Sequence, residues 1–221
     1  MVFNPVMRSA GLAIAAVLAA APAAQARVVE VGSTGADPSC PRADHSCLAV
    51  ARTTGYQVRV GARRGRFTVP ADGRIVAWSI RLGQPTRRQI AFLNRREHGA
   101  AAAQLSVLRL GKRQFARVVA QTPLVKLAPY FGQTVQFPLD RTLRVRKGYV
   151  IALTAPTWAP ALEIIRHDRS TWRASRPAKR CNDTVTQTAQ THLRDLTRYR
   201  CQYNARLAYS ATLVTLPRRN R

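Results

Sequence analysis

The nine residues Arg74–Leu82, "RIVAWSIRL", indicate the fold more clearly than any other stretch of the chain. Their apolar and small or polar side chains alternate with a period of two, as in a β-strand that is buried on one face. One face would carry Val76, Trp78, Ile80 and Leu82, and the other would carry Ala77, Ser79 and Arg81. Trp78 is therefore predicted to lie in a hydrophobic core.

The rest of the chain repeats this strand-and-turn rhythm. From Tyr56 onward, β-rich runs alternate with turn signals at intervals of about 8 to 12 residues, which is typical of sandwiches and barrels. Residues 207–213 alternate in the same way and predict a long, central last strand. Helical periodicity is weak, and "RQIAFLN" (88–94) is interpreted as a strand. The sequence predicts an all-β fold, an antiparallel β-sandwich that is jelly-roll-like, with two disulfide-stapled irregular segments.

Two glycine turns predict hairpins. Asp72-Gly73 would join "RFTV" (66–69) to the strand Arg74–Leu82, and Lys147-Gly148 would join "TLRV" (142–145) to "YVIALT" (149–154). Both pairs of strands are expected to lie side by side in one sheet.

The four cysteines fall into two local pairs, Cys40 with Cys47 and Cys181 with Cys201. Three connectivities are possible, and we favour the two local disulfides. On the chain-entropy model the shorter loop would contribute about 2.5 kcal/mol and the longer one about 3 kcal/mol. Neither pair has the spacing of a zinc knuckle, and His45 and His192 are not placed to complete one. No metal ion and no cofactor are expected.

The first 26 residues are typical of a secretory signal peptide. One positive charge at Arg8 precedes an apolar run over residues 11–21 and the small-x-small site Ala24-Gln25-Ala26. No second apolar run of spanning length follows, so a secreted or cell-envelope location without a membrane span is expected. The remaining chain is divided into a disulfide-pinned N-terminal segment (27–54), a single sandwich domain (55–217) with a disulfide loop insertion (176–203), and a basic tail (218–221).

Basic residues far outnumber acidic ones: 36 Lys and Arg stand against 10 Asp and Glu, for a formal net charge of +26. Arginine exceeds lysine by 32 to 4, a bias that a GC-rich genome would also produce. The scarcity of acids favours attraction to an anionic polysaccharide or cell-wall polymer. Binding to nucleic acid is expected only as a non-specific charge effect, because no stacked aromatic-basic signature is present. The doublets Arg63-Arg64, Arg87-Arg88 and Arg95-Arg96 would each attract anions locally.

Catalytic motifs are hard to assemble from this composition. A glycoside hydrolase needs two carboxylates that face one cleft. Glu163 and Asp168 would lie on opposite faces of an extended strand, whereas Glu163 and His167 would share a face without a nucleophile or metal partner. The chain has no G-x-S-x-G, and its histidines are scattered singly. We therefore predict no catalytic residue and keep an exported polysaccharide hydrolase as an alternative.

Four aromatic residues are candidates for stacking on a sugar: Trp158, Tyr130, Phe131 and Trp172. Trp158 lies between Pro156 and Pro160, and so large a ring normally buries. We interpret Trp158 as a core residue that ends the strand "YVIALT", with its prolines fixing a bend.

Several stretches of this chain resemble a group of uncharacterised secreted β-sandwich proteins from high-GC soil bacteria of the actinobacterial type. These are "FTVPADGRIVAWSIRLG", "LAPYFGQTVQFPL", "VRKGYVIALTAPTWAPAL", "WRASR" and the late "YRCQY". The resemblance covers 56–216 and implies no activity. The sequence as a whole predicts a secreted, non-catalytic protein that binds glycan or anionic cell-envelope material. A purely structural envelope protein is a further alternative.

Overall fold

A computed structural model describes residues 26–41, 47–164, 169–182 and 189–215. The predicted leader up to residue 25 and the predicted basic tail lie outside the described residues, as do His45, His167 and Asp168. Within the described ranges, no helix has both the length and the apolar character that a membrane crossing requires.

The described residues form fifteen strands and one α-helix, together with three short 3-10 turns at Lys112–Gln114, Ala128–Tyr130 and Ala178–Arg180. The strands are β1 (Val28–Ser33), β2 (Val50–Val60), β3 (Arg63–Arg64), β4 (Gly73–Arg81), β5 (Ala102–Leu110), β6 (Phe115–Gln121), β7 (Val125–Lys126), β8 (Thr134–Val145), β9 (Val150–Ala159), β10 (Leu162–Glu163), β11 (Thr171–Ala174), β12 (Leu196–Arg198), β13 (Cys201–Tyr203), β14 (Arg206–Leu207) and β15 (Tyr209–Thr215). The helix is α1 (Arg87–Arg96) and lies between β4 and β5.

Two antiparallel sheets face each other. The small sheet has the spatial order β1-β15-β4-β8. The large sheet has the order β12-β6-β5-β9-β2-β11-β13, with β3 paired to β2 and β7 paired to β5. Strands β10 and β14 form a separate two-stranded pair. Successive strands cross repeatedly from one sheet to the other, and this confirms the predicted all-β antiparallel sandwich.

The hydrophobic core fills the space between the sheets. Large, fully buried side chains from both sheets meet there, among them Trp78, Ile80, Leu105, Ile151 and Tyr209. The Tyr209 hydroxyl of the small sheet donates a hydrogen bond of 3.0 Å to the Ile151 carbonyl of the large sheet. A buried hydroxyl of this kind needs a partner, and here the partner also fixes one sheet against the other.

Strand β4 follows the predicted alternation with one irregularity. Trp78 and Ile80 face the core as predicted, and Ser79 faces outward. The register shifts between Ile75 and Ala77, so Ile75 takes a core position and Val76 becomes the extra, half-buried residue. A bulge of this kind reverses the facing of the residues before it, which a simple period of two does not predict. Strand β15 lies between β1 and β4 and is central in its sheet, as predicted.

Trp158 lies inside strand β9 and not after its end. Opposite it on β2 the register shifts between Ala51 and Thr53, so that Pro156 falls in an irregular part of the ladder. Proline lacks an N–H and is tolerated at such a position. The expected end of the strand before Trp158 is therefore wrong: β9 ends at Ala159, and Pro160 follows it.

Neither predicted hairpin forms. The Lys147-Gly148 turn joins β8 to β9, which belong to different sheets, so this turn crosses the sandwich. The segment before Asp72 runs beside β9, as shown by the hydrogen bond from the Ile151 N–H to the Phe67 carbonyl (3.0 Å). Asp72 accepts a hydrogen bond of 2.8 Å from the Lys147 N–H and so holds the two turns together. Lys147-Gly148 is a turn as predicted, whereas Asp72 lies in a bend and Gly73 already begins β4. The strands beside both positions pair with distant partners.

The segment interpreted as a strand at 88–94 is the helix α1. Thr86 and Gln89 form a capping box, in which the Gln89 N–H donates to the Thr86 hydroxyl and the Thr86 N–H donates to the Gln89 side chain. This reciprocal pair stabilises the first turn of a helix. Arg95 and Arg96 lie in the last turn, where positive charge is favourable.

Both predicted disulfides are present, Cys40–Cys47 and Cys181–Cys201. The N-terminal segment is less irregular than expected, because it contributes β1 to the small sheet and the start of β2 to the large one. The second disulfide ties β13 to a segment whose continuation at Gln190 lies against the large sheet. There the Gln190 N–H donates to the Thr54 hydroxyl at 2.9 Å.

Candidate functional site

A cluster of exposed positive charge lies at one edge of the large sheet, on β5, β6 and β12 and the turns beside them. We call this surface the basic edge. It consists of Arg109, Lys112, Arg113, Arg117, Arg194, Arg198 and Arg200. All seven side chains reach solvent, six of them in exposed positions and Arg117 in a half-buried one.

Strand register places three of these cations, Arg109, Arg117 and Arg198, on one face. Arg109 pairs with Arg117 across β5 and β6, and Arg117 pairs with Leu196 across β6 and β12. Directly opposed residues of antiparallel strands point to the same side of the sheet. Arg198 pairs with Phe115, which lies two residues before Arg117 on β6, so Arg198 shares the face of Arg117. Like charges held this close repel one another, and an anion relieves that repulsion.

The β5–β6 turn and the chain before Cys201 form a cleft of about 280 Å³ in the basic edge. Arg113, Gln114, Arg198 and Arg200 line this cleft. The guanidinium carbon of Arg198 lies 4.5 Å from the centre of the Phe115 ring, a cation–π distance that orients the group. A guanidinium stays charged over the whole working pH range and offers a planar fork of donors to a phosphate, sulfate or carboxylate.

The turn that carries Arg113 is held in an unusual backbone conformation. Arg113 and Gln114 have φ values of 53° and 64°, in the left-handed region that residues other than glycine rarely adopt. The Tyr199 N–H donates a hydrogen bond of 2.9 Å to the Gln114 carbonyl and fixes this turn to the chain before Cys201. Strained backbone that its surroundings hold in place is common at binding sites.

The ion pairs seen among the described residues involve other cations. They join Arg81 to Asp37, Arg96 to Glu97, Arg206 to Glu163 and, if His192 is protonated, His192 to Asp195. No carboxylate of the described ranges lies within salt-bridge distance of a residue of the basic edge. An incoming anion would therefore meet these seven charges without displacing a described acid.

Of the four aromatic candidates, two are buried. Trp158 is 0% exposed, and its Nε1 donates to Asn94 Oδ1 at 2.9 Å and to the Gly99 carbonyl at 3.2 Å. Its ring stacks on Phe131 with centroids 5.6 Å apart. This agrees with the interpretation of Trp158 as a core residue, because no ligand reaches a fully covered ring.

Trp172 is 4% exposed and stacks on Tyr203 at 4.6 Å. Tyr130 and Phe131 are half-buried, and Tyr130 packs edge-on against Phe137 at 5.3 Å. Phe131 and Tyr130 pack against the core from the turn before β8, and Trp172 lies on β11. Trp158 and Phe131 thus stack on each other, whereas Tyr130 and Trp172 pack against other rings, and the four residues form no exposed aromatic platform.

The residues weighed for catalysis are dispersed. Glu163 is half-buried, and its Oε2 lies 3.8 Å from Arg206 Nη1. His98 and His192 are exposed, on a turn after α1 and on the chain before β12. The described residues contain no group of three or more His, Cys, Asp or Glu side chains arranged to hold a metal ion.

Sequence reasoning did not single out the residues of the basic edge. The signal that was available is the turn "GKRQ" (111–114), which places two cations between two strand-like runs. The position of Arg198 and Arg200 in the basic edge could not be predicted from the sequence, because it depends on β12 pairing with β6 across about eighty residues of intervening chain.

Comparisons of this chain with protein-family models, with curated proteins and with solved structures found no match.

Proposed function

We propose that this protein is a secreted, non-catalytic β-sandwich protein that binds anionic cell-envelope polymers through the basic edge. The observation that carries the proposal is the cleft in which Arg113, Arg198 and Arg200 converge, set among four further cations on the same edge of the sheet. A polymer with a phosphate, sulfate or carboxylate group on each repeat would contact several of these cations at once.

The wider charge distribution supports the same partner. A net charge of +26 draws any polyanion toward the protein, and the basic edge supplies a place where the attraction is concentrated. The two disulfides are consistent with an oxidising compartment, where such polymers are found in the cell envelope. A linear polyanion lying along β12 and the β5–β6 turn would release counterions in proportion to the contacts it makes.

The experiment that tests this function compares two variants of equal charge. In the first, Arg113, Arg198 and Arg200 are replaced by Gln, which removes the cleft. In the second, Arg63, Arg64 and Arg87 are replaced by Gln, which removes three exposed cations elsewhere. The affinity of each protein for polyphosphate and for polyglutamate is measured by titration over a range of salt concentrations.

We expect the cleft variant to lose much more affinity than its control. The slope of log affinity against log salt should become shallower by about 2 for three lost phosphate contacts, and by far less in the control. Equal losses in the two variants would mean that total charge explains the binding and that the basic edge is not a site. Polymer cleavage by the unmodified protein would contradict the non-catalytic part of the proposal and favour the hydrolase alternative.

A further inference from the structure

A second candidate site, of different chemistry, lies on the small sheet. A polar groove of about 600 Å³ crosses the outer face of this sheet, from the segment 65–70 over β1 to β8. Its floor is one row of register partners: Gly32 pairs with Ser210, Ser210 pairs with Ser79, and Ser79 pairs with Gln136. Partners in register share a face, so these positions form one continuous strip. Three of the four residues are small, which is why the surface is concave here.

The glycine in this row is required by the backbone. Gly32 has a φ of 94°, and a Cβ at this position would lie 2.8 Å from the Tyr209 carbonyl oxygen. Only glycine adopts this conformation without strain. The Gly32 N–H donates to the Arg66 carbonyl at 2.8 Å and Arg66 Nε donates to the Gly32 carbonyl at 3.1 Å, so the floor continues into the wall formed by 65–70.

Two hydroxyl groups on the floor have unused hydrogen-bonding capacity. Ser79 is 8% exposed and Ser210 is 2% exposed, and both line the groove. Neither hydroxyl has a hydrogen-bond partner among the described residues. A hydroxyl donates one hydrogen bond and accepts two, and both hydroxyls line the groove, where a bound molecule can reach them. A ligand with its own hydroxyl groups would satisfy both serines.

A short chain of hydrogen bonds positions a carboxylate on the wall. Gln136 Nε2 donates to the Thr212 hydroxyl at 3.3 Å, and this hydroxyl donates to Glu30 Oε2 at 3.0 Å. Arg66, which is hydrogen-bonded to Gly32 of the same strand as Glu30, is the other charged residue that lines the groove. The groove is therefore lined by one carboxylate and one guanidinium, without the excess of positive charge that marks the basic edge.

We propose that this groove binds a neutral sugar unit. Sugars present alternating donors and acceptors, and these match the serine hydroxyls, the Gln136 amide and the Glu30 carboxylate. Because the groove is lined by one negative and one positive side chain, its own charges do not favour an anionic ligand over a neutral one. The basic edge, by contrast, favours anions. The volume lies within the range of small-molecule sites. This site and the basic edge are on different sheets, so each is testable without the other.

The test measures the binding of glucose, N-acetylglucosamine, cellobiose and maltose to the full chain by calorimetry and by NMR chemical-shift changes. We expect at least one of these sugars to bind, with an affinity that stays constant between low and high salt. Glu30→Gln keeps the shape of the wall but removes its charge, and should lower the affinity for that sugar by about tenfold. The double variant Ser79→Ala, Ser210→Ala should weaken it by a similar or larger factor.

The matched control is Arg113→Gln, Arg198→Gln, Arg200→Gln, which should leave sugar binding unchanged. Sugar binding that Glu30→Gln and the serine variant both leave intact would place the sugar elsewhere and overturn the proposal. The absence of binding by all four sugars in the millimolar range would overturn it as well. A sugar that binds only at low salt, and is lost in the arginine variant, would assign the interaction to the basic edge.

Discussion

At the scale of single residues, the two buried tryptophans near the strand ends differ in one respect. Trp158 donates its indole N–H to Asn94 and to the Gly99 carbonyl, whereas the indole N–H of Trp172 has no hydrogen-bond partner among the described residues. Both rings stack on another aromatic ring, Phe131 for Trp158 and Tyr203 for Trp172. The pair therefore separates the contribution of ring packing from that of the hydrogen bond.

Replacing each tryptophan by phenylalanine makes this comparison. Trp158→Phe leaves two half-buried acceptors without their donor, so it should cost about 1 kcal/mol more in the free energy of unfolding than Trp172→Phe. Trp158→Ala should cost about 3 to 5 kcal/mol through the cavity alone. Urea denaturation of the three variants provides the measurement. Equal losses in the two phenylalanine variants would show that the hydrogen bonds of Trp158 contribute nothing to stability.

At the scale of elements, the large sheet carries a row of buried hydroxyl groups on the side away from the sandwich core. The Thr154 hydroxyl of β9 lies 2.9 Å from the Thr54 hydroxyl of β2 and 2.6 Å from the Ser106 hydroxyl of β5. The segment around Gln190 covers this row, and Gln121 Nε2 donates to the Gln190 carbonyl at 2.7 Å. The Tyr199 hydroxyl also donates to the Gln190 side chain. A polar layer thus joins three strands to the segment that the second disulfide anchors.

Thr154→Val tests this layer, because valine keeps the shape of threonine and removes its hydroxyl group. We expect a loss of about 1 to 3 kcal/mol in the free energy of unfolding, since two buried hydroxyls lose a partner. Hydrogen exchange of the Gln190 N–H should also accelerate, because the Thr54 hydroxyl that accepts from it is no longer held. Thr197→Val on β12 is the control and should change stability by no more than about 0.5 kcal/mol. A neutral Thr154→Val would mean that the layer adds no stability.

The same elements show how far the sequence predicts the structure. Alternation identified β4 and the central strand β15 and placed Trp78 in the core, because burial on one face leaves a local pattern. The helix α1 was missed because its ten residues give too few turns for the helical period to stand out, and the capping box of Thr86 and Gln89 is the local signal of its start. The strand pairings were missed for a different reason. The turn at Lys147-Gly148 has hairpin chemistry, but whether two strands share a sheet depends on contacts with distant parts of the chain.

The candidate sites were less predictable than the fold for the same reason. The floor of the polar groove unites Gly32, Ser79, Gln136 and Ser210, which are spread over nearly the whole described chain. None of them belongs to a local motif. The aromatic residues that the sequence did single out are large and therefore mostly serve packing, as the burial of Trp158 and Trp172 illustrates.

At the scale of the whole molecule, the two candidate sites lie on different sheets and differ in charge. The basic edge belongs to the large sheet and the nearly neutral groove to the small one, while the core between them fixes both sheets. An envelope polymer that alternates neutral sugars with anionic groups would offer a partner to each surface. The integrity of both sites depends on the core, and the core contains tyrosines whose ionisation opposes folding.

Buried tyrosines predict a loss of stability at alkaline pH. Burial raises the pKa of Tyr199 well above its usual value of 10, and the neighbouring Tyr56 raises it further. Burial likewise raises the pKa of Tyr209. Above about pH 10 the unfolded chain releases phenolic protons that the folded chain retains, so the free energy of unfolding falls as pH rises. Each such tyrosine contributes at most about 1.4 kcal/mol per pH unit in this range, and below about pH 10 its contribution to stability is fully present.

Tyr209→Phe should cost about 1 kcal/mol at neutral pH, because the hydrogen bond to Ile151 is lost, and should make the alkaline decline shallower. Urea denaturation of both proteins between neutral pH and pH values above 10, with recovery on return to neutral pH, measures the two slopes. Identical slopes would show that Tyr209 does not control the alkaline transition.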